Sequence, residues 1–151
     1  NTTLGAIPGA LPPMGGWAAA RGELGIEAWI LFFILFAWQH PHFYAIAWMY
    51  KEDYQKGGYK MLPNVYPDSR ITLAQIMLFT FALIGFSLMP TMVGMAGKTY
   101  YWGALMAGLF MVWYAWGFKL DPSKLSARKI LISSVFYLPF LFILIIFDNI
   151  F

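Results

Sequence analysis

Four stretches of this chain, residues 26–49, 71–90, 100–118 and 130–147, are each apolar over about the 20 residues that an α-helix needs to cross a bilayer. Within hydrocarbon every backbone N–H and C=O must find a partner in its own segment, so runs of this length fold as helices. Composition agrees: 60% of the 151 residues are hydrophobic, 20% aromatic and only 11% charged, more apolar surface than one soluble core of this size can hide. The sequence therefore reads as an all-α, polytopic transmembrane helical bundle. Cysteine is absent, which removes disulfides, thiolate nucleophiles, iron–sulfur ligation and thiolate zinc sites. The net charge of +3 is modest and comes from loops, so no basic patch points to nucleic acid.

A fifth stretch, residues 4–20, is apolar but carries Pro8, Pro12 and Pro13 together with Gly5, Gly9, Gly15 and Gly16. That density predicts a broken span or a re-entrant piece, tolerated where it is buried in protein or lines a cavity. Loop charges set the orientation. Residues 51–70 hold Lys51, Lys56, Lys60 and Arg70, and residues 119–129 hold Lys119, Lys124, Arg128 and Lys129, whereas residues 92–99 offer only Lys98. The two basic loops are thus expected in the cytoplasm, with residues 21–27 and the C-terminal end on the opposite face. Five crossings satisfy this arrangement. A start at Asn1, with neither an initiating Met nor a leader pattern, reads as a truncation.

The chemistry concentrates in Trp38-Gln39-His40-Pro41-His42-Phe43, inside an apolar span, and in the charged, glycine-bearing stretch that follows, Lys51-Glu52-Asp53-Tyr54 through Gly57-Gly58 to Met61-Leu62-Pro63. Histidines are costly in lipid, so a pair there marks a candidate site. His42 and Asp53 are 11 positions apart, close to three helical turns, and share a face if the helix persists. Trp38 lies one turn before His42, while His40 is turned well away. Pro41 deprives the Ala37 carbonyl of its usual partner and is expected to bend the helix. The alternative is that both histidines simply pack between helices and that Asp53 is a solvated loop charge. Trp38, Phe43, Tyr44 and Trp48 offer flat surface to a ligand, but such aromatics also serve as packing or an interfacial belt. Trp102, Trp113, Tyr114 and Trp116 are read as lipid-facing or core residues.

These residues carry a resemblance. Gly9-Ala10-Leu11-Pro12-Pro13-Met14-Gly15-Gly16-Trp17, Trp38-x-x-Pro41-His42-Phe43, Lys51-x-Asp53-Tyr54 and Met61-Leu62-Pro63 resemble the C-terminal half of the protohaem IX farnesyltransferases, or haem O synthases. So do Gln75-Ile76, Ser87-Leu88-Met89-Pro90 and the stretch from Ala127-Arg128-Lys129 through Tyr137-Leu138 to Asp148. The resemblance implies an intramembrane prenyltransferase, a nine-helix bundle of which the five spans here would be half. It implies that Lys51-Glu52-Asp53-Tyr54 is the second of two aspartate-rich loops that bind Mg²⁺ with the diphosphate of an isoprenoid donor. Asp53 would then be the metal-binding carboxylate, with Lys51, Tyr54, Lys56 and Lys60 beside the phosphates. Gly57 stands where many relatives place a second aspartate, which favours the haem-modifying branch over quinone prenylation. His42, and in second place His40, would ligate or orient the porphyrin, with Trp38 against it. The implied reaction moves a farnesyl group from farnesyl diphosphate onto a vinyl group of haem B, giving haem O.

The same resemblance implies that the first aspartate-rich loop lies in an N-terminal half supplied in cis or in trans, without which this chain is inactive. Two other readings use the same residues: half of a transporter, with a Pro/Gly-broken helix beside a polar site, or a non-catalytic haem-binding or assembly subunit that has no need of Asp53.

Overall fold

A computed structural model describes residues 1–150, and among them there is no β-strand. Seven helices follow in order: α1 (Thr2–Arg21), α2 (Ile26–Met49), α3 (Lys51–Lys56), α4 (Leu62–Val65), α5 (Ser69–Met92), α6 (Lys98–Leu120) and α7 (Lys124–Ile150). Among the described residues α2, α5, α6 and α7 are the helices long and apolar enough to cross a membrane. They form a closed ring, α2 on α5, α5 on α6, α6 on α7 and α7 back on α2, and α1 flanks α2 from outside the ring. Helix α2 is the hub, touching α1, α5 and α7, which is why so much of it is buried.

Small side chains let the helices approach. Ala37, Ala45, Ala104, Ala115 and Ala127 are fully buried, and a Cβ on Gly108 of α6 would run into Ile84 of α5. In lipid, where burying an apolar surface against another helix gains little over lipid tails, close packing of this kind is what holds helices together. The outward faces are correspondingly apolar: Leu78, Phe81, Met106, Phe110, Phe136 and Ile143 are all exposed.

The two basic stretches lie at one end of the ring. Trp48 Nε1 near the end of α2 donates to the Pro122 carbonyl between α6 and α7, at 3.0 Å. At the other end, the Asp148 carboxylate of α7 accepts from the backbone N–H of Tyr100 at 2.7 Å, and Asn149 donates to the Met95 carbonyl at 2.9 Å. The expected alternation of spans is therefore present. Cationic side chains lie over indole rings at both ends, Lys51 over Trp48 and Lys119 over Trp116 at the basic end and Arg21 over Trp17 at the other. These aromatic and cationic pairs are the expected anchors of a span in the interface.

Three sequence expectations change. Helix α1 is continuous across Pro8, Pro12 and Pro13 instead of broken or re-entrant. The helix packs along α2, and the side-chain amide of Gln39 on α2 ties the two together, donating to the Ala6 carbonyl at 3.3 Å and to the Leu35 carbonyl at 3.3 Å. Gly9 makes room for that amide, since a Cβ there would collide with it. The stretch 119–129 is mostly helix rather than loop, because a span needs only its middle in hydrocarbon and its charged first turn can project beyond. Ser123 caps that turn, its hydroxyl accepting from the Ser126 N–H at 3.2 Å. Finally, α2 does not persist to Asp53: it ends at Met49, and the chain restarts after Tyr50 as the six-residue α3. The shared face of His42 and Asp53 is thus interrupted, although both stay on one continuous path from the middle of α2 to the basic end.

Candidate functional site

His40 and His42 sit on opposite sides of α2, as a separation of two residues on a helix requires. His40 is fully buried. Its Nδ1 lies 2.8 Å from the Phe36 carbonyl and its Nε2 3.3 Å from Thr3 Oγ1 of α1. Its ring stacks on Phe79 of α5 with centroids 3.4 Å apart. Both nitrogens and one face are thereby occupied by protein, and no position remains for a ligand.

His42 is different. Its Nδ1 lies 2.9 Å from Ser134 Oγ of α7, and its ring stacks on Trp38 with centroids 4.7 Å apart. Trp38 Nε1 donates to the Ser134 backbone carbonyl at 2.6 Å, and Phe43 meets the imidazole edge-on at 5.2 Å. Nε2 of His42 has no partner among the described residues and is not among their buried unpartnered atoms, so it is open to an incoming group. The pairing of Trp38 with His42 expected from the sequence is present. Ser134, which completes the trio, was not anticipated. The signal was there in the polar pair Ser133-Ser134 within an otherwise apolar run, both of them buried.

At the basic end, Glu52 and Asp53 fall in the first turn of α3 and are both exposed, their carboxylates with no hydrogen bond or ion pair among the described residues. Lys51 Nζ lies 5.1 Å over the Trp48 ring, Lys56 is exposed, and Tyr54 packs edge-on against Tyr59 at 6.1 Å. Gly58, with φ 75°, turns the chain back after α3, a left-handed conformation that glycine adopts without strain. Asn64 then ties α4 to α3, its amide donating to the Lys51 carbonyl at 2.6 Å while its Oδ1 stays buried and unpartnered. Asn64 is a second polar residue the sequence reading missed.

The donor sets suit the groups expected. Magnesium takes hard oxygen ligands and is commonly held by one or two carboxylates with phosphate and water completing the shell. Glu52 and Asp53 offer that much and no more: among the described residues no three His, Cys, Asp or Glu side chains cluster as a metal cage. An imidazole with one nitrogen fixed by protein and the other open suits an iron porphyrin. A groove of about 840 Å³ lies elsewhere, between α6 and α7, and none of Trp38, His42 or Asp53 lines it. Trp102, Trp113 and Trp116 are exposed on α6, away from the site, as expected of lipid-facing aromatics.

The structure is thus a helical membrane bundle whose hub carries a half-open histidine and leads to exposed carboxylates at its charged end. The chain belongs to the UbiA prenyltransferase family, whose profile matches residues 1–145. It is 51% identical over 149 residues to the protoheme IX farnesyltransferase of Solibacter usitatus, covering 99% of this chain and 51% of that protein. Similarity extends to the proteins of the same name from Koribacter versatilis, 44% identical over 98% of this chain, and Salinibacter ruber, 42% identical over 98%. The chain spans about half the length of these relatives. No solved structure matches it.

Proposed function

We propose that this chain forms the C-terminal half of a protohaem IX farnesyltransferase, which moves the farnesyl group of farnesyl diphosphate onto a vinyl group of haem B to give haem O. The remaining half of the relatives' length, with its own acidic loop, acts with it in cis or in trans. The observation that carries the reading is the two-ended path along α2 and α3: an accessible imidazole nitrogen within the apolar bundle, and unpaired carboxylates at the basic end.

In this reading Asp53, with Glu52 beside it, holds the magnesium that accompanies the diphosphate. Bound there, the ion neutralises charge on the leaving group. Lys56 and Lys60, both exposed, add positive charge around the phosphates, and Lys51 does so from its seat over Trp48. Tyr54, held against Tyr59, keeps the turn after α3 in place. His42 orients the porphyrin from below, with the Trp38 indole fixing the imidazole plane. The apolar bundle excludes water from the reacting vinyl group until the farnesyl group has been transferred. The protein sits in a bacterial inner membrane with residues 50–70 and 119–129 in the cytoplasm, five spans including α1, and its C-terminal end on the opposite face.

The test uses a protein carrying this chain together with the other half. Asp53→Asn keeps the shape of the side chain and removes its charge, so haem O formation should fall by at least about a hundredfold while the bundle still folds. Turnover near the parent's would overturn the assignment of Asp53.

A further inference from the structure

We propose that Ser134 is a positioning residue that fixes the tautomer of His42, placing the proton on Nδ1 and presenting the Nε2 lone pair as a ligand for a Lewis acid. That the Lewis acid is a porphyrin iron rests on the function proposed above; the tautomer does not.

A serine hydroxyl has one proton to give. Ser134 Oγ lies 2.7 Å from the Leu131 carbonyl, one turn back in α7, which can only accept and is the shorter of the hydroxyl's two contacts, so we assign the proton there. Toward His42 Nδ1, at 2.9 Å, the same oxygen must then accept. It can do so only if Nδ1 carries the hydrogen. A neutral imidazole holds one N–H, and Nε2 is left with its lone pair in the ring plane.

The surroundings hold that geometry. Ser134 is fully buried, so water does not compete for its hydroxyl. Its backbone carbonyl accepts from Trp38 Nε1 at 2.6 Å, and the indole so anchored stacks on the imidazole at an interplanar angle of 28°. One residue of α7 thereby receives both side chains of the pair, fixing the direction of Nε2 as well as its protonation. A ligating histidine usually has its other nitrogen donated to a fixed acceptor, which orients the ring and raises its basicity. His40 serves as the built-in contrast. Its Nδ1 also meets a carbonyl, that of Phe36, but its Nε2 is occupied by Thr3 and its ring is sealed under Phe79.

The experiment labels histidine with a heavy nitrogen isotope in the two-half protein and reads by NMR which ring nitrogen carries a directly bonded proton. His42→Ala identifies the His42 signals. In the parent protein the proton should lie on Nδ1, and Ser134→Thr, which keeps the hydroxyl, should preserve this. In Ser134→Ala the ratio of the Nδ1–H to the Nε2–H form should fall about fivefold, the effect of losing a hydrogen bond of ordinary net strength. The His40 signals should stay unchanged and report an intact bundle. Should the alanine variant fail to fold, the parent spectrum still decides, because a proton on His42 Nε2 overturns the proposal. An unchanged tautomer ratio in folded Ser134→Ala overturns it too.

Titration with haem forms a second arm. Ser134→Ala should weaken haem binding about tenfold and lose the absorption signature of imidazole-ligated iron, with recovery in Ser134→Thr. If the tautomers behave as stated while haem binding ignores all of these changes, the positioning role of Ser134 stands and the haem role proposed for His42 falls.

Discussion

The two sides of α2 carry the same residue type to opposite ends. On the side facing α1 and α5, His40 is enclosed by Phe36, Thr3 and Phe79, and Gln39 beside it bonds into α1. On the side facing α7, His42 is held by one nitrogen and one ring face only. A polar group in an apolar bundle is tolerated when its partners are complete, and His40 meets that condition within the protein. His42 meets it halfway, and the incomplete half is where a ligand can enter. What separates the two histidines is the count of nitrogens left open, more than depth in the membrane, and the function proposed above uses the open one.

The comparison can be broken most forcefully by removing each imidazole in turn. His40→Ala empties a fully buried, stacked and doubly bonded site and should cost about 3 kcal/mol of stability, seen as a large drop in the detergent unfolding midpoint. His42→Ala, at a half-open position, should cost about 1 kcal/mol or less. Equal losses would mean that both histidines are packing residues. A smaller effect sharpens the closed side: Gly9→Ala puts a methyl group into the Gln39 amide and should destabilise by about 1–2 kcal/mol, with Gln39→Ala in the same chain removing the collision and most of the added cost. Full additivity of the two changes would show that Gly9 and Gln39 are not coupled. Smallest of all, Arg70→Cys and Met92→Cys fall at exposed positions on the two ends of α5 and should leave function intact. Impermeant thiol reagents should label the first from the cytoplasmic side and the second from the other. Labelling of both from one side would show that α5 does not cross.

The four apolar spans were legible because length and hydropathy alone demand helices in lipid; α2 keeps its expected range, and α5, α6 and α7 run beyond theirs at both ends. Helix α1 was misread as broken because its prolines were judged as in an isolated helix, whereas here it packs along α2 and is tied to it through Gln39. Periodicity put Trp38 and His42 together and turned His40 away, as found. It could not say which histidine was open, since that depends on Thr3, Phe79 and Ser134, all distant in sequence. The run from His42 to Asp53 failed as one helix at Tyr50, a break that no proline or glycine announces.

The central claim is that the path along α2 and α3 has two functional ends, a porphyrin end at His42 and a diphosphate end at Asp53. Equilibrium titration of the two-half protein with haem and, separately, with farnesyl diphosphate and magnesium tests it most directly in His42→Ala and Asp53→Asn. The account predicts that His42→Ala weakens haem binding about tenfold or more and leaves diphosphate affinity unchanged, and that Asp53→Asn does the reverse. Loss of both ligands in folded protein carrying either change, or of neither, would contradict it.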